Sequence, residues 1–190
     1  MLRHDVAKDL RDDELAPGYV RPAYDGYCFA NVSGTVADLL GVGGVIVSPQ
    51  LPDDTLPTTE ISRVAVILVD GFGFEQFLRY REAHPFLETL AEEAIVTPLT
   101  STYPSETAAA MTTYYLGQPP VQHGLLGWDV YRADIDTVVK PLPFVTAGGA
   151  NPVDFDLSPR DLREGKSVGR RLSAAGADVH RVVPDMAWLG

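Results

Sequence analysis

Arg63-Val64-Ala65-Val66-Ile67-Leu68-Val69-Asp70-Gly71-Phe72-Gly73 is the stretch on which the reading of the fold turns. The unbroken apolar run from Val64 to Val69 has the pattern of a strand buried on both faces, as found in mostly parallel sheets covered by helices. It ends abruptly at Asp70, which places that carboxylate outside the carboxyl end of the expected strand, where open sheets form their ligand crevices. Gly71 and Gly73 would let the backbone turn closely around whatever the carboxylate holds. Two readings of Asp70 stand at this point: a ligand-binding carboxylate, or a cap for the helix that follows. Gly71-Phe72-Gly73 lacks the third spaced glycine of a dinucleotide fingerprint, which argues against that class.

Downstream, Phe74 to Tyr80 predicts a short helix, and Pro85 to Ala94 a second one with Phe86, Leu87 and Leu90 on its buried side. A short strand is expected over Ile95 to Leu99. The next helix should begin near Ser105 and run to about Leu116, with Ser105 the better N-cap, and Gly117-Gln118-Pro119-Pro120 should stop it. Two short strands, Trp128 to Tyr131 and Thr137 to Val139, lead into a loop rich in proline and glycine through Pro159. A helix from Lys166 to Ala174 and a strand from Ala177 to Val183 restore the alternation of helix and strand. Upstream, the residues through Pro22 read as an irregular arm, Ser33 to Leu40 as a short helix ended by Gly41, and Pro49 to Glu60 as a connector. The expected organisation is therefore an amino-terminal arm and connector over 1–60, packed on an α/β unit over 61–190, whose core is a mostly parallel sheet flanked by helices.

Composition narrows the function classes. The chain has 190 residues, 45% of them hydrophobic, and a formal charge of -11 from 26 acidic and 15 basic residues. Such a surface repels a phosphate backbone, so no nucleic-acid groove is expected. The same balance suits a high-salt cytoplasm, where ions screen the carboxylates from one another. The lone Cys28 cannot form an internal disulfide, no run is long enough to cross a bilayer, and the charged first residues are unlike a secretion signal, which makes a reducing cytoplasm the expected location.

The second segment that could carry chemistry is Tyr103-Pro104-Ser105-Glu106-Thr107, opening the Ala108-Ala109-Ala110-Met111 helix. A hydroxyl in a first helical turn lies beside exposed amide hydrogens and the helix field, which stabilise a phosphoryl group, and a nearby metal would make it a nucleophile. Without a metal, Thr107 is a hydroxyl at a helix start.

Taken together, and in this order, Val69-Asp70-Gly71-Phe72, the Pro85 helix, the Tyr103-to-Thr107 segment and Gly117-Gln118-Pro119-Pro120-Val121-Gln122-His123-Gly124 resemble the alkaline phosphatase superfamily. The likeness is closest to its type I phosphodiesterase and nucleotide pyrophosphatase branch. It spans roughly Arg63 to Trp128, with a weaker echo over Lys140 to Phe144 and Gly165 to Pro184. The resemblance implies an alkaline-phosphatase-like α/β core, of which this chain matches the amino-terminal part. It makes Asp70 a ligand of the metal nearest the nucleophile, and Thr107 both a metal ligand and the residue that takes the phosphoryl group, with Thr102 as its rival. His123 is implied to belong to the fold around the site and not to the metal set.

The resemblance also implies a double displacement on a phosphate-ester small molecule, with two divalent ions, commonly zinc, stabilising nucleophile and leaving oxygen. Two zinc ions need about six to eight protein ligands when open positions are kept for substrate. Only Asp70 and Thr107 have motif support here. The family's later Asp-x-x-x-His and His segments have no counterpart, and His180 stands on an expected strand without a matching carboxylate. The leading expectation is thus hydrolysis of phosphodiester or nucleotide pyrophosphate bonds, the chain being a fragment of such an enzyme or a subunit completed by a complementary polypeptide. The alternative is a noncatalytic α/β assembly or interaction protein with a degenerate half-site. In either case apolar surface left uncovered would favour self-association or capture of a partner.

Overall fold

The apolar run that should be an internal strand is not one. In the structure, a computed structural model that describes residues 1–163 and 165–182, residues 64–69 belong to no sheet. Ile67 is 87% exposed and Val69 64%. The mostly parallel sheet flanked by helices is therefore corrected: both sheets among the described residues are antiparallel. The physical reason is that a strand exists through its neighbours. A run of β-branched and aliphatic residues makes a ladder favourable but cannot supply the second chain that accepts its N–H groups. Among the described residues parallel pairing is limited to two isolated bridges, Leu2 with Val96 and Cys28 with Thr100, and the first of these is all that forms of the strand expected over Ile95 to Leu99.

The amino-terminal arm is more regular than its mixed composition suggests. Helix α1 (His4–Asp12) buries Val6 and Ala7, and the strands β1 (Glu14–Ala16) and β2 (Tyr19–Val20) form a small antiparallel hairpin. Arg3 ties this arm to the connector by pairing with both Asp5 and Asp54. Helix α2 (Val32–Leu39) lies close to the expected position and is followed by Gly41 at φ 70°. Helices α3 (Phe74–Tyr80) and α4 (Pro85–Glu93) form as expected, but α4 buries no residue. Phe86, placed on its buried side from the sequence, is 72% exposed. With no sheet over 64–69, the helix has no layer to pack on.

Helix α5 (Thr107–Leu116) runs through the interior, burying Ala108, Ala109, Thr112, Thr113 and Leu116. Its run of alanines lets neighbouring backbone approach closely, and Ser33 of α2 donates to the Tyr114 carbonyl at 2.6 Å. Gly117 ends the helix in the left-handed conformation. The short α6 (Pro120–His123) returns alongside it.

The strands expected around 128–139 are found as a meander: β3 (Val130–Arg132), β4 (Thr137–Lys140) and β5 (Val145–Thr146), in the order β3-β4-β5. The third of these falls in a stretch whose prolines and glycines read as loop. One core cluster joins Ala108 of α5 to Leu125, Val139, Phe144, Leu157 and Leu162. A second joins Ala37 of α2 and Ile46 to Leu172 of α7 (Val168–Ala174). The strand expected to follow α7 is absent over 177–182, and Val183 lies outside the described residues. Among the described residues, no helix is long and apolar enough to cross a membrane.

Candidate active site

Asp70 sits in a turn directly after the uncovered run, with Gly71 at φ 74° bending the backbone behind it. It does not cap the next helix. The N-cap of α3 is Gly73, with no side-chain cap bond. The carboxylate is exposed and points instead toward α5, where Oδ2 lies 3.5 Å from Thr107 Oγ1. That separation is at the long limit of a hydrogen bond. The structure thus brings together two residues 37 apart in sequence.

Thr107 is the first residue of α5 and half-exposed, but it is not the cap, and neither is Ser105. The N-cap is Glu106, whose carboxylate accepts the amides of Ala108 at 3.0 Å and Ala109 at 3.3 Å. Pro104-Ser105-Glu106 offers a hydroxyl and a carboxylate one residue apart, and the charged group makes the stronger bonds to positively polarised amides. The expectation of free amides for a phosphoryl group is corrected accordingly: two of them already hold an anion. Glu106→Ala should lower stability by about 1 kcal/mol, read from the shift of the urea midpoint.

The rival hydroxyl is poorly placed for attack. Thr102 is buried at 2% exposure and donates to the Pro104 carbonyl at 3.0 Å. His123 is also remote from chemistry. Its Nδ1 accepts the Leu125 amide at 3.1 Å, and its Nε2 lies 3.0 Å from Thr113 Oγ1, which in turn donates to the Ala109 carbonyl at 3.0 Å. With Nδ1 accepting, the ring is neutral and its proton sits on Nε2, so both ring nitrogens of His123 and the Thr113 hydroxyl are satisfied. Burial pulls the imidazole pKa down to about 4. His180 pairs with Asp178 at the surface.

The donor set can be compared with what a metal needs. Two oxygens each about 2 Å from one tetrahedral ion stand about 3.3 Å apart, so the Asp70 and Thr107 spacing suits a shared ion. The number of donors does not. A catalytic zinc takes about three protein ligands besides its open position. Among the described residues, no group of three or more His, Cys, Asp or Glu side chains is arranged to hold a metal. The residues present therefore do not fit a resident two-metal centre.

Comparison with known proteins covers the region in which this pair lies. Residues 64–147, less than half of the chain, match the family model described as type I phosphodiesterase / nucleotide pyrophosphatase. Both Asp70 and Thr107 lie inside the matched region, which is a partial match at the level of the alkaline phosphatase superfamily. The match points to phosphate-ester hydrolysis as the chemistry of the family, and such enzymes require divalent metal ions. No curated protein matches the chain. No solved structure does either.

Proposed function

We propose that this chain carries the nucleophile-bearing half of a phosphate-ester hydrolase acting on phosphodiester or nucleotide pyrophosphate bonds, and that a second half supplies the rest of the site. The observation that carries this reading is the 3.5 Å approach of Thr107 Oγ1 to Asp70 Oδ2 within the matched region. Thr107 is the nucleophile. As its Oγ–P bond forms, the bond from phosphorus to the leaving oxygen breaks, and water later cleaves the phosphothreonine and restores the hydroxyl. Asp70 holds the hydroxyl in line from its turn, and preorganisation of this kind is where much of an enzyme's advantage lies. In this reading the further ligands for divalent ions, zinc among them, lie in the second half of the enzyme, whether that half is a separate polypeptide or a further stretch of the same one. A cytoplasmic setting goes with this reading.

A second reading, a noncatalytic interaction protein with a degenerate half-site, is favoured by the same shortage of donors. A neighbouring gene encoding the missing Asp and His segments would separate the two. The chemical test is acid-quench trapping of the phosphoenzyme in the completed assembly, with mass spectrometry of the modified residue. Thr107→Ala should abolish the label while leaving the fold intact, since its side chain is half-exposed and caps nothing. An unchanged level of label in that variant would move the nucleophile elsewhere, Thr102 being the first residue to examine.

A further inference from the structure

At the opposite end of α5 from Thr107, helix α7 and the loop before α7 form one side of an open cleft of about 500 Å³. A ten-residue helix is about 14 Å long, so this cleft is separate from the Asp70 and Thr107 pair. Its lining is Val45, Lys166, Arg170, Arg171, Ala174 and Ala175, which is three cations, three small apolar side chains and no carboxylate.

That lining is unusual for this molecule. The chain carries 26 acidic residues, yet between 160 and 181 six basic residues face three acidic ones. Lys166 and Arg170 make no ion pair among the described residues. Arg171 is spent on structure at its tip, where its two terminal nitrogens donate to the Val45 and Leu116 carbonyls. Its Nε is buried with no partner among the described residues. Arg163 repeats the pattern: its Nε is buried and unpartnered among the described residues, and its pKa is pulled down first by burial and then by the charges of Arg160, Arg170 and Arg181. Like charges gathered in this way repel one another unless an anion joins them. The chain's net negative charge repels anions at long range, and a cleft lined by cations offsets that repulsion locally.

We propose that the cleft of Lys166, Arg170 and Arg171 is a binding site for a small anion bearing a diphosphate group. A diphosphate matches the lining because it carries several charges over a short span, and guanidinium groups bind phosphate oxygens in pairs. Val45, Ala174 and Ala175 keep the floor narrow and apolar, and the volume is within the range of sites for nucleotide-sized molecules.

The test is titration calorimetry of the full chain at about 0.15 M ionic strength, where long-range repulsion from the acidic surface is largely screened. Inorganic pyrophosphate and ADP are the probes. Pyrophosphate should bind saturably at one site per chain. The double variant Lys166→Ala with Arg170→Ala should weaken it by about tenfold or more, equivalent to about 1.4 kcal/mol. Arg170→Glu should abolish binding, and Thr107→Ala should leave it unchanged. Lys166 and Arg170 are exposed, so these variants should fold, with circular dichroism as the check. ADP binding at least as tightly as pyrophosphate assigns the cleft to a nucleotide, and weaker ADP binding assigns it to the free inorganic ion. Absence of saturable binding of either probe, or unchanged binding in folded Arg170→Glu, overturns the proposal.

Discussion

Lowering the pH from 6.5 to about 4 should remove about 3 kcal/mol of folding stability through a single side chain, His123. In the folded chain the imidazole is 3% exposed and held neutral between the Leu125 amide and the Thr113 hydroxyl. A second ring proton would face the Leu125 N–H head on. Burial sets the folded pKa at about 4 against an ordinary 6.5. The unfolded chain therefore takes up its proton first as pH falls. Stability from this group is complete above about 6.5, declines through the window between the two values, and is gone below the folded one. The surface carboxylates Asp5, Asp54, Asp134 and Asp161 have pKa values depressed below 3.8 by arginine or hydroxyl partners, so their losses belong to more acid conditions. Urea unfolding across pH 4 to 7.5, compared with His123→Gln, is the measurement. The native chain should lose stability through this window while the variant stays level. Parallel profiles would place the proton load elsewhere.

The second large effect concerns a substitution that should do almost nothing to stability. At the centre of a strand buried on both faces, Ile67→Asp would leave a charge without solvent and cost several kcal/mol. At 87% exposure it should change the stability of the isolated chain by no more than about 0.5 kcal/mol. Its effect should fall on association instead. Val66, Ile67, Leu68 and Val69 form a continuous exposed apolar stretch, and exposed Phe72 follows just beyond Asp70 and Gly71. Surface of that kind draws other chains. Sedimentation velocity should show the native chain self-associating as concentration rises, and Ile67→Asp should shift it toward monomer. Unfolding of the variant would mean that the run is covered after all.

These two residues show how far the sequence could be read. Helices α3, α4, α5 and α7 were legible because their signals are local, such as Pro85 opening α4 and Gly117 closing α5. The Asp70 and Thr107 pair was legible through resemblance, since nothing local connects a turn at 70 to a helix start at 107. The sheet was not legible. Val64 to Val69 has the composition of a buried strand, but burial depends on layers that the run itself does not contain. Capping failed by one residue because both a serine and a glutamate side chain are able to accept amides, and only the observed backbone shows that Glu106 faces the helix. The basic cleft went unnoticed because it joins Val45 to α7 across more than a hundred residues. Its one available sign was the acid-poor spacing of Lys166, Arg170 and Arg171.

We propose that this chain holds the nucleophile and one carboxylate of a phosphate-ester hydrolase, and no cluster supplying the remaining ligands is found among the described residues. The most direct measurement is turnover of a chromogenic phosphodiester and a phosphomonoester by the purified chain in excess zinc or manganese, alone and with any polypeptide encoded beside it. Alone, the chain should stay at the background rate, because one carboxylate and one hydroxyl cannot anchor the ions. Activity should appear only in the mixture, and should be lost there with Asp70→Ala or Thr107→Ala. Robust zinc-dependent turnover by the chain alone, abolished by those same substitutions, would contradict the claim.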